Sequence, residues 1–490
     1  MKKHLTIVIK LGTSSIVDEK THEPLLSTLS TIVETAISLH KDGHRVVLVS
    51  SGAIGVGLRR MDLDRRPKHL PKVQALAAIG QCRLMSLWDQ LFGHMRQPVA
   101  QILLTRNDIA DRTQYLNAQN TFIELLNMRV IPIVNENDTL AVTEIKFGDN
   151  DTLSAITAGM VQADYLFLMT DVDCLYDKNP RTNPDAKAIE VVEDISELEA
   201  DVSSAGSALG TGGMSTKIVA ARLATSAGVT TVITRSSKPG NISAIIRYAE
   251  AQKAAAQNFD NNNSNSANSS ARNSLSASQE LPVRADRSPT IHAPDKSPSK
   301  SSSTSHLPTP TTPPLHTRFL PDLHPIRDRY FWLLHGLAPH GTVYIDGGAY
   351  AALASKAGLL PVGVVDVEGS FAQQECVRIV VVKRPSNTPT ITSTTTVPSS
   401  APTATIDTNN TADTPTSTTA SPTHFPTPGQ EVGRMLVNYS ATEIRRIRGL
   451  RSADIRDALG YADSEYVALR ENIAFLRVER SRPGTPSLTA

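Results

Sequence analysis

Short apolar runs alternate with longer amphipathic segments from Leu5 to about Ala251. The apolar runs are rich in β-branched residues, which is the pattern of buried strands, and the amphipathic segments between them indicate helices. The predicted strands are Thr6–Ile9, Arg45–Val49, Val99–Leu104, Val130–Val134, Tyr165–Met169 and Thr230–Thr234. Strands that alternate with helices predict an α/β domain with a mainly parallel sheet sandwiched by helices.

Polar or glycine-rich residues follow the carboxyl ends of several predicted strands. These residues are Lys10, Ser50 to Gly52, Asn135 to Asp138, and Thr170 with Asp171. Ligands of open α/β sheets collect outside the carboxyl ends of the strands. We therefore expect these residues to meet at one edge of the sheet.

The composition changes after Ala251. Residues 252–325 are dominated by Asn, Ser, Pro and Thr and carry too few large apolar side chains for burial to offset chain entropy, which predicts a disordered linker. Short strand patterns and glycine turns resume over 326–480 and predict a small β-rich domain. A second Thr-, Ser- and Pro-rich tract at about 384–428 is predicted as a disordered insertion, and 481–490 as a tail. The first domain is accordingly assigned to residues 1–251.

Charge and cysteine usage narrow the function classes. The formal net charge of +1 argues against coating of nucleic acid by bulk electrostatics and favours small-molecule chemistry. The three cysteines lie far apart, without the spacing of a zinc site or a disulfide framework. No secretion signal or apolar run of membrane-spanning length is found. We expect a reduced, cytoplasmic protein that needs no membrane and no dedicated metal site.

Two lysines lie in glycine-containing loops at opposite ends of the first domain. Lys10 stands in the run Ile7–Ser15, and Lys217 closes the run Leu209–Lys217. Glycines let backbone N–H groups approach phosphate oxygens, and an ammonium offsets the charge of a transferring phosphoryl group, so the pair indicates a polyphosphate site. A tight turn is the alternative for either loop alone. The run Gly52 to Gly57 does not have the dinucleotide-binding glycine spacing, and the run Gly210 to Lys217 does not have the Walker spacing.

Six segments in unbroken order carry a resemblance to a known family. They are Val8–Thr13, Val49–Ile54, Val134–Asp138, Phe147–Asp151, Leu168–Asp171 and Gly210–Lys217. On these motifs the chain resembles the amino acid kinase family, and within it the glutamate 5-kinases, for which Asn-Glu-Asn-Asp followed by Gly-Asp-Asn-Asp is specific. The carboxyl-terminal part resembles the PUA domain that many of these kinases carry, a module used elsewhere to bind RNA. The long linker and the split PUA-like module indicate a eukaryotic, fungal version.

The resemblance implies that ATP phosphorylates the side-chain carboxylate of L-glutamate, the first step of proline biosynthesis, with feedback inhibition by proline. It implies that Lys10 and Lys217 flank the transferring phosphoryl group while Asp151 orients both lysines. The residues implied for glutamate are Ser51, Gly52, Asp138 and Asn150. The residues implied for ATP are Lys10, Gly12, Thr170, Asp171, Thr211, Gly212, Gly213, Met214, Ser215, Thr216 and Lys217. Mg²⁺ is expected to accompany ATP, held by phosphate oxygens and water.

The sequence leaves the roles of several other residues undecided. Asn135, Glu136 and Asn137 are expected to shape the pocket wall rather than to contact substrate. For Asp138 a helix cap or an Asx turn is the structural alternative. Three arginines of one predicted helix could meet phosphates, but nearby acids favour a solvated helix face. They are Arg445, Arg446 and Arg448.

Two other functions stay open. One is an amino acid kinase for a different acceptor, such as N-acetylglutamate or aspartate. The other is an RNA-binding or regulatory protein whose working part is the PUA-like module; the set of Lys10, Asp151 and Lys217 argues against it. The partners implied by the resemblance are a second copy of the chain, in a dimer or tetramer, and glutamate 5-semialdehyde dehydrogenase.

Overall fold

The computed structural model describes residues 4–140, 150–198, 213–253, 312–326, 328–383 and 429–476. These residues form two compact units. Unit 1 comprises Met1–Thr105 and Asn117–Pro325, and unit 2 comprises Arg106–Leu116 and Ile326–Ala490. Most of the predicted linker, the insertion at 384–428 and the tail at 481–490 lie outside the described residues.

Unit 1 is built on one large sheet. Its strands in chain order are β1 (Thr6–Leu11), β2 (Arg45–Ser50), β3 (Val99–Leu104), β4 (Ile131–Glu136), β5 (Tyr165–Thr170), β6 (Leu175–Tyr176), β7 (Ala188–Ile189), β8 (Val191–Val192), β9 (Thr230–Arg235) and β10 (Thr317–Phe319). In the described residues eight of them pair in the order β3-β4-β2-β1-β5-β9-β10-β8, and β6 pairs with β7. All neighbours in the large sheet are parallel except β9 and β10. The six strands predicted from the sequence are confirmed.

Helices cover both faces of this sheet. In chain order the helices up to residue 253 are α1 (Thr13–Ile16), α2 (Leu26–Lys41), α3 (Ala53–Arg60), α4 (Leu70–His94), α5 (Arg106–Ala110), α6 (Arg112–Asn127), α7 (Asn150–Met160), α8 (Met214–Ser226) and α9 (241–253), of which α5 and the beginning of α6 belong to unit 2. Ile7, Ile9 and Leu11 of β1 join a buried core with side chains of α2, α4 and α9. Because side chains alternate along a strand, Val8 and Lys10 face the opposite side, where α7 packs on β1 and against α8. The alternation therefore places Lys10 under the two helices that carry the other charged residues of the site.

Strand β10 was missed by the sequence analysis, which placed it in the linker. Thr317 and Phe319 of this strand are both fully buried. The Thr317 hydroxyl donates to the Ile189 carbonyl at 2.6 Å and accepts from the Leu175 N–H at 2.7 Å. Three residues are too few for a period-2 pattern to stand out from the Pro- and Thr-rich surroundings. Residues 317–319 therefore belong to the folded sheet of unit 1.

Helices α3 and α4 approach each other at backbone distance. A Cβ added to Gly80 would lie 1.7 Å from the Ala53 carbonyl oxygen, and one added to Gly57 would lie 2.2 Å from the Leu76 carbonyl oxygen. Only glycine permits such contact between helix backbones. The contact fixes α3, which begins directly after Ser51 and Gly52.

Unit 2 contains a five-stranded sheet in the order β12-β11-β13-β14-β15. Its strands are β11 (Gly341–Ile345), β12 (Val364–Gly369), β13 (Cys376–Val381), β14 (Glu431–Leu436) and β15 (Ile473–Phe475), and its later helices are α10 (Asp328–Phe331), α11 (Gly347–Ala354), α12 (Ala441–Ile447) and α13 (Ile455–Leu459). A separate hydrophobic core joins the sheet to α11, α12 and α13. The small β-rich domain predicted from the sequence is confirmed.

Unit 2 also includes the segment from Arg106 to Leu116, which comes from the middle of the kinase-like sequence. Ile109 and Tyr115 of this segment are buried. The Trp332 indole N–H donates to the Ile109 carbonyl at 3.0 Å, and the Arg112 guanidinium lies 5.1 Å from the Trp332 ring centroid. No local pattern predicts that this segment belongs to unit 2, because α5 and α6 have the pattern of an ordinary amphipathic helix pair.

Candidate active site

Lys10 is the next-to-last residue of β1, at the carboxyl end of this central strand. Its side chain is buried, with a relative exposure of 5%. Gly12 follows at the start of α1, and a Cβ added to Gly12 would lie 3.8 Å from the Lys10 Nζ. A Cβ at that distance would be in ordinary van der Waals contact with the ammonium, so Gly12 lies directly beside it.

Asp151 lies in the first turn of α7 and is fully buried. One carboxylate oxygen forms an ion pair with the Lys10 Nζ, and the other lies 3.3 Å from the Lys217 Nζ. Lys217 is also buried. A buried carboxylate that is shared by two ammonium groups leaves a local excess of positive charge, which is suited to an anionic ligand.

Helix α8 brings Lys217 to this carboxylate in its first turn. The helix begins at Met214 after the N-cap residue Gly213. The Thr216 hydroxyl accepts from the Gly213 N–H at 3.1 Å and donates to an Asp151 carboxylate oxygen at 2.8 Å. The capping interaction therefore ties the loop, the helix start and the carboxylate together.

The pKa of Asp151 is held at about 2, below its usual value of 3.8. Burial alone would raise this pKa, but the positive charges of Lys10 and Lys217 outweigh the desolvation. Hydrogen bonds from Lys10 and Thr216 lower it further. Asp151 is consequently an anion throughout the physiological pH range and is too weak a base to remove a proton there.

A second polar group lies beside this cluster. The Asn150 Nδ2 donates to the Ser51 Oγ at 2.8 Å and to the Asn135 Oδ1 at 3.0 Å. The Asn135 Nδ2 in turn donates to the Gln81 Oε1 at 2.8 Å. The Asn150 Oδ1 is buried and has no hydrogen-bond partner among the described residues. The network therefore joins residues of α4, β4 and α7 to the loop before α3.

A cavity of about 640 Å³ opens next to this network. It is lined by residues of α3, α4, β3 and the end of β4, among which Gln81, Gln101, Glu136, Asn137 and Asp138 supply polar atoms. The Asn137 N–H donates to the Leu104 carbonyl at 2.9 Å, which fixes the turn after β4 against β3. Glu136, Asn137 and Asp138 thus lie in the cavity wall.

Gly52, one of the residues that the resemblance implies for glutamate, has a left-handed backbone conformation that few other residues adopt. Gly52 has φ = 103° and is the N-cap residue of α3. A Cβ at this position would also lie 2.9 Å from the Ile16 Cγ2. The left-handed backbone and the close approach of Ile16 both require glycine here, so Gly52 shapes the loop that carries Ser51.

The predicted nucleotide residues occupy the ends of β5 and α8. The Thr170 hydroxyl donates to an Asp171 carboxylate oxygen at 3.0 Å, and the Thr170 carbonyl accepts from the Ser236 N–H at 2.6 Å. Asp171 also forms an ion pair with Arg181, which the sequence analysis did not single out. Gly213, Met214, Ser215 and Thr216 lie at the start of α8, whereas Thr211 and Gly212 lie outside the described residues.

In the described part of the chain, no group of three or more His, Cys, Asp or Glu side chains is arranged to hold a metal ion. Over the same residues, no helix is both long and apolar enough to cross a membrane.

Comparisons with known proteins follow the division into two units. Residues 5–235 match the amino acid kinase family, and residues 341–384 match the PUA domain. The chain is 49% identical over 472 residues to a protein of Schizosaccharomyces pombe named probable glutamate 5-kinase, with 96% of this chain and 93% of that protein covered. It is 40% identical over 470 residues to a glutamate 5-kinase of Cyanothece sp., with 96% and 98% covered. Among solved structures it is similar to a Giardia lamblia carbamate kinase bound to AMP-PNP, at 20% identity and a TM-score of 0.37, covering 49% of this chain and 96% of that one.

Proposed function

The chain belongs to the glutamate 5-kinases of the amino acid kinase family, and from that premise we propose that it transfers the γ-phosphoryl group of ATP to the side-chain carboxylate of L-glutamate. The buried lysine pair stabilises the transferring group. The product is L-glutamyl 5-phosphate, the first intermediate of proline biosynthesis. The observation that carries this proposal is the arrangement of Lys10 and Lys217 around the single carboxylate of Asp151.

The acceptor requires no activation by a base. A side-chain carboxylate with a pKa of about 4.3 is already an anion at neutral pH. One of its oxygens forms a bond to the γ-phosphorus while the bond between that phosphorus and the β,γ-bridging oxygen breaks, so that ADP leaves with the electron pair. Catalysis then depends on in-line positioning and on stabilisation of negative charge. The depressed pKa of Asp151 supports the same view, because this carboxylate could not serve as a base.

Lys10 and Lys217 have the chemistry to stabilise the transferring group from two sides. Both ammonium groups are buried, so water screens their charge less than it would at the surface. Asp151 keeps them in place and prevents two like charges from repelling each other out of the site. The N-terminus of α8 adds backbone N–H groups that favour phosphate oxygens.

We assign glutamate to the cavity beside Asn150. Its walls offer an amide, a hydroxyl and carboxylates, which match an α-ammonium and an α-carboxylate. Ser51 and Asn150 belong to the hydrogen-bond network that Gln81 joins to the cavity wall, and Asp138 lies in that wall. Gly52 supplies the backbone turn. This placement would direct the reactive carboxylate of glutamate toward the lysines.

ATP is assigned to the edge of the sheet where β5 ends and α8 begins. Thr170 and Asp171 would contact the nucleotide, and Gly12 together with the Gly213 to Lys217 turn would contact its phosphates. Mg²⁺, when bound to ATP, supplies charge neutralisation through phosphate oxygens and water, which agrees with a site whose buried carboxylate already serves two lysines.

The reaction is tested by trapping the acyl phosphate. Purified protein is incubated with ATP, magnesium and hydroxylamine, and with L-glutamate, L-aspartate or N-acetyl-L-glutamate in parallel. Hydroxamate that forms with L-glutamate alone supports the proposal. Hydroxamate with one of the other acids would assign the chain to another acceptor, and none with any acid would refute the kinase activity.

Proline is proposed as an inhibitor at the glutamate cavity. It shares an α-carboxylate and a cationic amine with glutamate, so the same polar wall can bind it. In the trapping assay, proline at millimolar concentration is expected to raise the KM for glutamate without lowering kcat. An unchanged KM would contradict binding at this cavity.

Further partners are proposed on the resemblance of the two domains. A homo-oligomer, hand-over of the labile product to glutamate 5-semialdehyde dehydrogenase and a cytoplasmic location agree with the kinase assignment.

RNA is the partner proposed for the PUA domain. The three arginines considered for phosphate contact, however, each bind within unit 2: Arg445 donates to the Gly369 carbonyl, Arg446 donates to the Ala458 carbonyl and Arg448 pairs with Asp366. Arg448 is paired with an acid, whereas Arg445 and Arg446 bond to carbonyls and keep their positive charge, so RNA stays a proposed partner of unit 2 beside the kinase reaction that we propose.

A further inference from the structure

Gln81 lies in α4, which carries none of the glycine or acid motifs, yet it ends the hydrogen-bond chain that reaches Asn150. The chain runs from Gln81 through Asn135 to Asn150 and Ser51. Gln81 also lines the cavity assigned to glutamate. Its place in this hydrogen-bond chain helps to determine whether the cavity binds a donor or an acceptor of the ligand.

The Glu136 backbone N–H fixes which groups donate and which accept along this hydrogen-bond chain. The Glu136 N–H can only donate, and it donates to the Asn135 Oδ1 at 2.9 Å. The Asn135 side-chain oxygen therefore faces Glu136, and its Nδ2 must point the other way, toward Gln81. Because Nδ2 is a donor, Gln81 has to present its oxygen, as it does at 2.8 Å.

The same polarity continues into Asn150. The Asn135 Oδ1 accepts from the Asn150 Nδ2 at 3.0 Å, and the Ser51 Oγ accepts from that Nδ2 at 2.8 Å. Both hydrogens of the Asn150 amide are thus used. The Asn150 Oδ1 is left as a buried acceptor without a hydrogen-bond partner among the described residues.

A buried acceptor without a partner is costly in the free protein and is complementary to a donor on the ligand. Of the groups on an amino acid, the α-ammonium donates and the carboxylates do not. Resting on the function proposed above, we propose that Gln81 is a positioning residue that holds the Asn135 and Asn150 amides in the orientation required to accept the α-ammonium of the substrate.

Removing the Gln81 oxygen takes away the acceptor that holds the far end of the Asn135 amide. The Asn135 Nδ2 would then be a nearly buried donor without an acceptor, since Asn135 is 2% exposed. Its side chain would turn toward the cavity to reach water, and its Oδ1 would leave Asn150. The Asn150 amide would lose one of its two anchors and could present Nδ2 instead of Oδ1 to the substrate.

The test compares Gln81→Met with Gln81→Glu. Methionine is similar in length but offers no amide oxygen, whereas a glutamate side chain keeps an acceptor for the Asn135 Nδ2. For Gln81→Met we expect the KM for L-glutamate to rise about tenfold, the loss of one hydrogen bond to a charged group, while kcat changes less than about twofold. The KM for ATP should not change. Gln81→Glu should stay within about threefold of the wild-type KM for L-glutamate.

Gln90→Met is the matched control, because Gln90 is exposed on the same helix and, among the described residues, donates to the Ser86 hydroxyl at 3.4 Å. It should leave all constants at the wild-type value. Thermal unfolding of each variant checks that the fold is kept, and calorimetric titration with L-glutamate measures binding without turnover.

The outcomes separate this inference from the reaction itself. If L-glutamate forms hydroxamate and Gln81→Met keeps the wild-type KM, the inference is overturned and the reaction stands. The inference also fails if Gln81→Glu is impaired as much as Gln81→Met, or if the KM for ATP rises in step, since either result indicates general damage to α4. If calorimetry ranks the variants as expected but no hydroxamate forms, the binding role stands and the reaction does not.

Discussion

At the scale of single residues, the charge balance around Asp151 determines what the site can do. Two buried ammonium groups share one buried carboxylate. Removal of one lysine leaves the carboxylate paired with the other, so the fold is expected to survive such a change while the stabilisation of the transferring phosphoryl group is lost. The lysines are therefore suited to a direct test of catalysis.

Lys10→Ala and Lys217→Ala are each expected to lower kcat about a hundredfold to a thousandfold, the effect of removing one charge-stabilising group from a preorganised site. Coupled detection of ADP release measures the rate. Lys178→Ala is the control, because the Lys178 side chain is 52% exposed and pairs with Asp185 away from the cluster. A comparable loss in all three variants would refute a specific role for the buried pair.

Asp151 also predicts how stability depends on pH. A carboxyl whose folded-state pKa is depressed contributes stability above its unfolded pKa and loses it as the pH falls through the folded pKa. For Asp151 these limits are 3.8 and about 2. We expect the difference in free energy of unfolding between the wild type and Asp151→Asn to be constant near neutral pH and to shrink across this window. Urea unfolding at stepped pH measures it, and a flat difference would show that the two lysines do not hold the carboxylate ionised.

Individual site residues differ in how far the sequence revealed them. Lys10 and Lys217 were found because glycines beside a lysine indicate phosphate chemistry, and the structure brings both to Asp151. Gln81 was missed because a glutamine in a helix has no local signal, and its meaning comes only from Asn135, which is 54 residues away. Hydrogen-bond polarity is a property of the folded chain and cannot be read from spacing.

At the scale of elements, the packing of α3 on α4 holds the loop that carries Ser51. The long apolar strands were predictable, since their hydrophobic runs are buried on both faces. The close approach of these two helices was not, because a glycine inside a helical pattern has the same appearance whether it contacts another backbone or solvent.

Gly80→Ala is expected to lower the free energy of unfolding by about 3 kcal/mol, because the new methyl group overlaps the Ala53 carbonyl oxygen at 1.7 Å and forces the helices apart. The KM for glutamate should rise as α3 moves. Gly93→Ala makes the same change in the same helix where nothing lies within 4 Å, and it should be neutral or stabilising by up to about 1 kcal/mol. Urea unfolding of both variants decides the point, and equal stabilities would show that the contact is not rigid.

At the scale of the whole molecule, the chain crosses between its two units more often than the composition indicates. The sequence correctly places an α/β domain before a β-rich domain, because each has its own periodicity. It assigns β10 to the linker and Arg106–Leu116 to the first domain. Both are short segments whose place is decided by the surfaces they cover, and Phe319 and Ile109 have no exposed area. Removal of all residues after 251 would therefore damage unit 1 itself.

Phe319→Ala tests the contribution of β10. Its side chain is fully buried in unit 1, so the truncation is expected to cost about 3–5 kcal/mol of folding free energy. Leu323→Ala is the control, because Leu323 is 85% exposed. Should chemical denaturation give the same midpoint for both variants, residues 317–319 would not be part of the stable sheet.

In the proposed reaction a glutamate carboxylate oxygen attacks the γ-phosphorus of ATP between Lys10 and Lys217. It is tested most directly with L-glutamate carrying oxygen-18 in its side-chain carboxylate, turned over with ATP, magnesium and hydroxylamine, followed by mass analysis of the released phosphate. Hydroxylamine attacks the acyl carbon, so the phosphate keeps the oxygen that bridged it to glutamate. We expect the wild type to release phosphate with one oxygen-18 atom and Lys217→Ala to release almost none. Phosphate released by the wild type without the label would show that water, and not the carboxylate, is the acceptor.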